Sequence, residues 1–179
     1  MISTILDNII WDEFETDIRE KAAVDLKGAA LTKSGRGLTI TLGLNFVMPY
    51  SCCEKICEAV REKITSDGNI AGIEEVSLEF VYGPLVQSEE EACRAYVEHM
   101  IMMANGDYAA VTKTIMPEHT VVTDDEIRIS AVGRLSVDRL NKEVASLFER
   151  MLEELPVTGR KVVFVNDTES WDETRQSLE

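Results

Sequence analysis

The sequence is poor in cysteine and has no long apolar run, and each shortage excludes a class of protein. Four cysteines in 179 residues, three of them at Cys52, Cys53 and Cys57, do not form the disulfide framework of a small secreted domain, so we expect reduced thiols. No apolar run approaches the roughly 20 residues that a membrane-spanning helix needs. The amino terminus lacks the basic start and small-residue cleavage site of a signal peptide. We therefore expect a cytoplasmic protein.

Basic and aromatic side chains are also scarce. The chain has 18 Lys and Arg against 33 Asp and Glu, a formal net charge of -15, and its aromatic content is 6%. Proteins that bind duplex nucleic acid need clustered Lys and Arg to displace counterions from phosphates. Binders of single strands need aromatic platforms or a basic groove. The composition therefore disfavours nucleic acid as the main ligand and favours a protein partner.

The clearest structural pattern lies in residues 38–49. Four aliphatic residues of one parity alternate with small and polar residues: Leu38, Ile40, Leu42 and Leu44. Because successive side chains of a strand point to opposite faces, this predicts a half-buried strand. A weaker strand is predicted at 24–33, with a bulge near Gly28, and turn residues at 34–37 join the two as an antiparallel hairpin. Helices at 3–21 and 49–64 and a third strand at 76–82 complete a first unit.

A second set of patterns follows in the same order. Ser88 and Glu91 predict a capping box that opens a helix, which Asn105-Gly106 ends in left-handed geometry. Ser136 is predicted to cap the longest helix. The remaining predicted elements are a short helix at 108–115, hairpin strands at 119–122 and 127–132, the body of the long helix to residue 155, and a strand at 162–165.

The order helix, hairpin, helix, strand thus occurs twice, at an offset of roughly 90 residues. We predict an α+β fold of two small units, each with helices packed on one face of a three-stranded sheet. The predicted domains are residues 1–86, residues 87–166 and a polar linker at 167–179. No catalytic residue, metal ligand, cofactor site or cofactor is expected in this chain.

Two motifs could be mistaken for metal sites. Asp167 and Glu169 follow an apolar strand, as the first two carboxylates of proofreading exonucleases do, but two-metal hydrolysis needs further carboxylates. Too little chain follows them to supply the rest of that fold, so a strand end entering a linker is favoured. Cys52, Cys53 and Cys57 lack a second pair of ligands in a recognisable pattern. Small buried hydrophobic side chains are the favoured interpretation of these cysteines.

Three further motifs have simpler structural interpretations. The acidic run 124–126 favours a solvated turn over a cation site, because Asp bonds its own backbone in turns. The glycines of residues 34–37 join two strands, whereas phosphate-cradling loops open a helix. The cluster of Met100, Met102 and Met103 favours core filling over an adaptable protein-binding surface.

The chain resembles the amino-terminal region of the Gram-positive-type (PolC) DNA polymerase III alpha subunit over about residues 1–166. In that family a strand of the form L-x-I-x-L precedes an I-P-Y-like helix start and then a V-x-L-x-F/Y strand. The residues that carry the resemblance here are Thr32-Lys33-Ser34, Arg36, Leu38-Thr39-Ile40-Thr41-Leu42, Leu44-Asn45, Pro49-Tyr50, Val76-Ser77-Leu78-Glu79-Phe80, Glu89-Glu90-Glu91 and Tyr96.

The resemblance implies the leading part of a larger bacterial enzyme, a DNA-directed DNA polymerase with 3'-5' exonuclease activity. The family's first unit resembles a truncated type II KH fold, and its amino-terminal region is associated with holding the tau subunit of the clamp loader. We therefore expect a non-catalytic docking module that binds tau, with no direct contact to nucleic acid or membrane. The alternatives are a KH-like module that binds single-stranded nucleic acid and a small metal-dependent hydrolase.

Overall fold

The computed structural model describes residues 20–67 and 72–167. The chain divides into two compact units, Met1–Ser88 (unit 1) and Glu89–Glu179 (unit 2). The helix predicted at 3–21 lies outside the described residues except for Glu20 and Lys21, which are helical. In the described part of the chain, no helix combines the length and the hydrophobicity required to cross a bilayer.

Unit 1 contains a mixed three-stranded sheet in the order β1-β2-β3. Strand β1 (Val24–Leu31) pairs antiparallel with β2 (Gly37–Leu44), helix α1 (Tyr50–Asp67) follows, and β3 (Glu75–Tyr82) pairs with β2 in parallel. Unit 2 repeats this topology, so the predicted α+β class with two three-stranded sheets is confirmed.

The alternation in β2 separates two faces of the sheet, as predicted. Ile40, Leu42 and Leu44 are buried in a core cluster with the first turns of α1. On the opposite face the hydroxyl oxygens of Thr39 and Ser77 lie 3.0 Å apart across the β2–β3 ladder. The core of unit 1 therefore lies between one face of the sheet and α1.

The hairpin of unit 1 also follows the prediction. The register of β1 against β2 shifts between Leu26 and Gly28, which is the expected bulge. In the turn, the amide of Gly35 donates to the carbonyl of Thr32 at 2.9 Å, and Gly35 has a φ of 70°. Glycine adopts this left-handed conformation without a steric penalty, so its position in the turn has a physical reason.

Unit 2 begins with a helix and places a second helical run between its last two strands. Its strand order is β4-β5-β6, with β4 and β5 antiparallel and β5 and β6 parallel. In chain order its elements are α2 (Glu89–Thr112), β4 (Ile115–Val122), β5 (Glu126–Ala131), α3 (Arg134–Arg139), a π turn (Leu140–Val144), α4 (Ala145–Leu152) and β6 (Lys161–Asn166).

The predicted end of the first helix of unit 2 is wrong. Helix α2 continues past Gly106, which does not have a positive φ, and its backbone kinks only at Tyr108. Asn105 lies inside the helix, where its side-chain oxygen accepts a hydrogen bond from the hydroxyl of Thr112 at 3.1 Å. Val111 is buried beyond the Asn-Gly pair. The packing of this last turn outweighs the local preference of Asn-Gly for a helix end.

A second helical segment does follow the kink at Tyr108, as predicted at 108–115, but it ends at Thr112, and Ile115 already belongs to β4. Pro117 lies inside this strand, where the register against β5 shifts between Met116 and Thr120. The bulge accommodates the proline, since a bulged residue needs no ladder hydrogen bond. Pro117 therefore lies within β4 and does not mark the end of a helix.

The helix predicted to start at Ser136 begins earlier and is not the longest. Gly133, with a φ of 91°, turns the chain directly after β5, and its amide donates to the side-chain oxygen of Asn166 at 3.0 Å. The helical run then starts at Arg134, before the predicted cap, and ends at Leu152. Helix α2, with 24 residues, is longer.

Side chains from this run cover the outer edge of β6. Asn141, in the π turn, accepts a hydrogen bond from the amide of Phe164 at 2.9 Å and donates to its carbonyl at 2.8 Å. About two helical turns further on, Glu149 accepts a hydrogen bond from the amide of Val162 at 3.1 Å. These bonds satisfy backbone groups that an edge strand otherwise exposes.

Replacing Asn141 tests this edge protection. We expect Asn141→Ala to lower the free energy of unfolding of unit 2 by about 2 kcal/mol, because two part-buried backbone groups lose their partner. Lys142→Ala, an exposed neighbour in the same turn, is the control and should change it by less than about 0.5 kcal/mol. A urea titration followed through the amide NMR signals of unit 2 measures both. Equal effects of the two variants would contradict this role of Asn141.

Candidate protein-docking surface

Two of the three clustered cysteines behave as buried hydrophobic side chains, as the sequence predicts, whereas Cys57 is only partly buried. Cys52 and Cys53 are buried in the core of unit 1, and the thiol of Cys53 lies 3.8 Å from the sulfur of Met48. Burial raises the pKa of the Cys53 thiol to about 12, as expected for a thiol enclosed by apolar side chains. Within residues 20–67 and 72–167, no three His, Cys, Asp or Glu side chains are grouped to hold a metal ion.

The aspartate of the exonuclease-like motif has a structural role. The carboxylate oxygen of Asp167 lies 3.0 Å from Nδ1 of His119 in the β4 bulge. Its own amide donates to the carbonyl of Ala131 at 3.1 Å. These contacts tie the end of β6 to the rest of the sheet. Glu169 lies outside the described residues.

The acidic run at 124–126 forms the turn between β4 and β5. The amide of Thr123 donates to the carbonyl of Glu126 at 2.9 Å, and the amide of Glu126 donates to the Thr123 hydroxyl at 3.1 Å. Asp124 and Asp125 are exposed at the tip. The solvated-turn interpretation is therefore confirmed.

The methionine cluster divides between the core and the surface. Met100 is fully buried, whereas Met102 and Met103 are 41% and 50% exposed on α2. The core-filling interpretation is right for Met100 and wrong for the other two. Helix α2 is long and buries residues on more than one side, which made the orientation of each methionine difficult to predict.

Arg160 is a buried basic residue that connects three segments of unit 2. Its side chain is only 6% exposed, and it donates to the Glu89 carboxylate at 2.8 Å. It also donates to the carbonyl of Thr123 at 2.7 Å and to that of Thr158 at 3.0 Å. Glu89 in turn accepts hydrogen bonds from the amide and the hydroxyl of Thr158, each at 3.2 Å. We call this set the Arg160 clasp.

The clasp fixes the start of α2, the β4–β5 turn and the segment before β6 in one arrangement. Sequence reasoning missed it, because a single arginine between Gly159 and Lys161 carries no signal of burial. Charged side chains are seldom buried unless they are paired, so the pairing explains why Arg160 is tolerated there.

An open groove of about 820 Å³ lies beside the clasp in unit 2, and we call it the acidic groove. Leu152, Leu155 and Val157 provide its apolar wall. Its acidic residues come from two segments distant in sequence, Asp125 and Glu126 from the β4–β5 turn and Glu149 and Glu153 from the end of the helical run. Its basic residues are Arg160, whose guanidinium is already bonded within the clasp, and Lys161, which is exposed.

Unit 1 has a smaller groove, of about 330 Å³, at the corresponding place in its topology. It too lies between the helix that connects the parallel strands and the start of the third strand. Among the described residues, its acidic lining comes from Glu54, Glu58, Glu74 and Glu75 and its basic lining from Arg61. Both units therefore place carboxylates around the same structural feature.

A comparison of two arginines tests the clasp. We expect Arg160→Ala to lower the free energy of unfolding of unit 2 by about 3 kcal/mol, because it removes a buried, multiply bonded cation. Arg94→Ala is the control, since Arg94 pairs with Glu90 in the same first turn of α2 but both side chains are more than half exposed. It should cost about 0.5 kcal/mol or less. Similar losses in urea titrations of the two variants would argue against the clasp.

The pH dependence of the clasp has a defined sign. Hydrogen bonds from Arg160 and Thr158 lower the pKa of the Glu89 carboxyl below its ordinary value. The clasp therefore stabilises unit 2 fully above the ordinary glutamate pKa, and this contribution is lost as the pH falls through the lowered, folded-state pKa. We expect an NMR titration of the Glu89 side-chain carboxyl carbon to give a midpoint below the ordinary glutamate value. A midpoint at or above that value would contradict this.

Comparisons of the chain with protein-family models, with curated proteins and with solved structures found no match.

Proposed function

We propose that this chain is a non-catalytic protein-docking module of a bacterial replicative DNA polymerase III alpha subunit of the PolC type. In this proposal the module tethers the polymerase to the tau subunit of the clamp loader in the cytoplasm. The parent protein would be a DNA-directed DNA polymerase with 3'-5' exonuclease activity. The module itself would contribute binding and no chemistry.

The observation that carries the docking role is the distribution of charge. The chain has a net charge of -15, and four carboxylates line the groove of each unit. Ion pairs offset Glu58 and Glu74 in unit 1 and Glu126 in unit 2, and the other carboxylates leave a surplus of negative charge at both grooves. A surface of one sign attracts partners of the opposite sign and speeds their encounter. It repels the phosphates of nucleic acid, which supports a protein partner over an oligonucleotide.

The identity of the partner rests on the sequence resemblance. The segment from Thr32 to Tyr50 carries it most densely, and this segment contains the β1–β2 turn, the whole of β2 and the start of α1. The resemblance continues into β3 and the first turns of α2. It thus involves both units.

A direct binding measurement tests the proposal. We expect the whole chain to bind the carboxy-terminal domain of tau in isothermal titration calorimetry, with a dissociation constant of about 10 µM or tighter, since an interface of standard size is usually detectable at this level. Absence of heat at several times that concentration would count against the proposal.

A parallel titration with fluorescein-labelled single-stranded oligonucleotides distinguishes the proposed docking module from the KH-like alternative. Our proposal predicts no saturable binding at moderate salt. Tight binding that weakens steeply as salt rises would favour the alternative, because counterion release governs contacts with phosphates.

A further inference from the structure

We infer that the acidic groove of unit 2 is a docking site for a protein segment that carries lysine or arginine beside a leucine-like side chain. This inference extends the proposed docking function, from which it takes only the premise that the occupant is a protein. It states where in the fold the partner binds and which side chains the partner must carry.

The balance of charge in the groove requires a basic occupant. Arg160 is already committed to Glu89 and to two carbonyls, so it does not offset the remaining carboxylates. Glu126 accepts from Arg128 at 2.8 Å, and Glu149 accepts from the amide of Val162. Asp125 and Glu153 remain at the rim, both exposed, with Lys161 as the available cation. A cation that enters the groove finds a surplus of negative charge.

The groove also offers one accessible apolar side chain. Val157 is half-buried, whereas Leu152 and Leu155 line the groove from the core and are each only 4% exposed. Long basic side chains lay their aliphatic stems on such surfaces and keep the charged head near carboxylates. A neighbouring leucine would bury further apolar area against Val157, which a free ion or a nucleotide would not.

Other occupants fit less well. The described residues hold no group of carboxylates suited to a metal ion. An anion would meet Asp125 and Glu153, with the Arg160 guanidinium withdrawn into the clasp. The groove is preformed by the clasp, because Arg160 holds both the β4–β5 turn and the segment that precedes β6. A preformed site loses less conformational entropy when it binds.

The test uses a defined probe with the full chain. A short synthetic peptide built from leucine and lysine is titrated into isotopically labelled protein, and the same peptide with glutamate in place of lysine serves as the charge control. We expect the lysine peptide to shift the amide signals of Leu152, Glu153, Leu155 and Asp125, and the glutamate peptide to leave them unchanged. Shifts confined to other surfaces, equal shifts with both peptides, or no shifts at all would overturn the inference.

Charge variants locate the binding. Asp125→Asn with Glu153→Lys changes the groove by three charges while keeping a turn-forming side chain at 125 and placing a cation at a helix carboxyl end, where it is favourable. We expect this variant to bind the lysine peptide at least about tenfold more weakly. Glu54→Gln with Glu58→Lys makes the same change in the groove of unit 1 and should weaken binding less than about twofold.

Equal weakening by the two double variants would overturn the inference, because it would mean that total charge and not the groove governs binding. The outcome is separable from that of the proposed function. If wild type and the groove variant bind tau equally well, the function stands and the groove assignment falls. If the peptide binds in the groove and tau does not bind, the groove assignment stands and tau is the wrong partner.

Discussion

The parallel pairing of the third strand with the second is the constraint on which the rest of each unit depends. A short turn can connect the two strands of a hairpin. A strand that runs parallel to the preceding one requires the chain to cross back to the end of the sheet where that preceding strand began. In unit 1 that return is α1, and in unit 2 it is the run from α3 through the π turn to α4. In both units a groove lies between this returning helix and the start of the third strand.

Side-chain hydrogen bonds to the backbone hold these small sheets together where ladder bonds end. In unit 1, Asn45 accepts from the amide of Ala23 at 2.7 Å and donates to the carbonyl of Lys21 at 2.9 Å, and Gln87 accepts from the amide of Val47 at 2.6 Å. In unit 2, Asn141 does the same for β6. Because each such side chain satisfies groups that would otherwise be unpaired at a sheet boundary, a few polar residues determine where the sheets stop.

The sequence predicted the parts of the fold that depend on neighbouring residues. The alternation at 38–44 and 76–82 identified β2 and β3, and Gly28 marked the bulge, because these signals are local. The end of α2 and the start of α3 were missed, since the contact of Asn105 with Thr112 and that of Gly133 with Asn166 were not visible locally. The groove was missed for the same reason, as Asp125 and Glu153 meet only through the fold.

The covered edge of β6 has a consequence for how unit 2 can assemble with other proteins. Its outward amides at Val162 and Phe164 are already bonded, and the opposite edge strand, β4, is interrupted by the bulge that contains Pro117. Neither border offers a continuous template for an incoming strand, which also discourages fibril growth. Recognition at these two borders therefore depends on side-chain complementarity, which single substitutions can change while the main-chain framework stays the same.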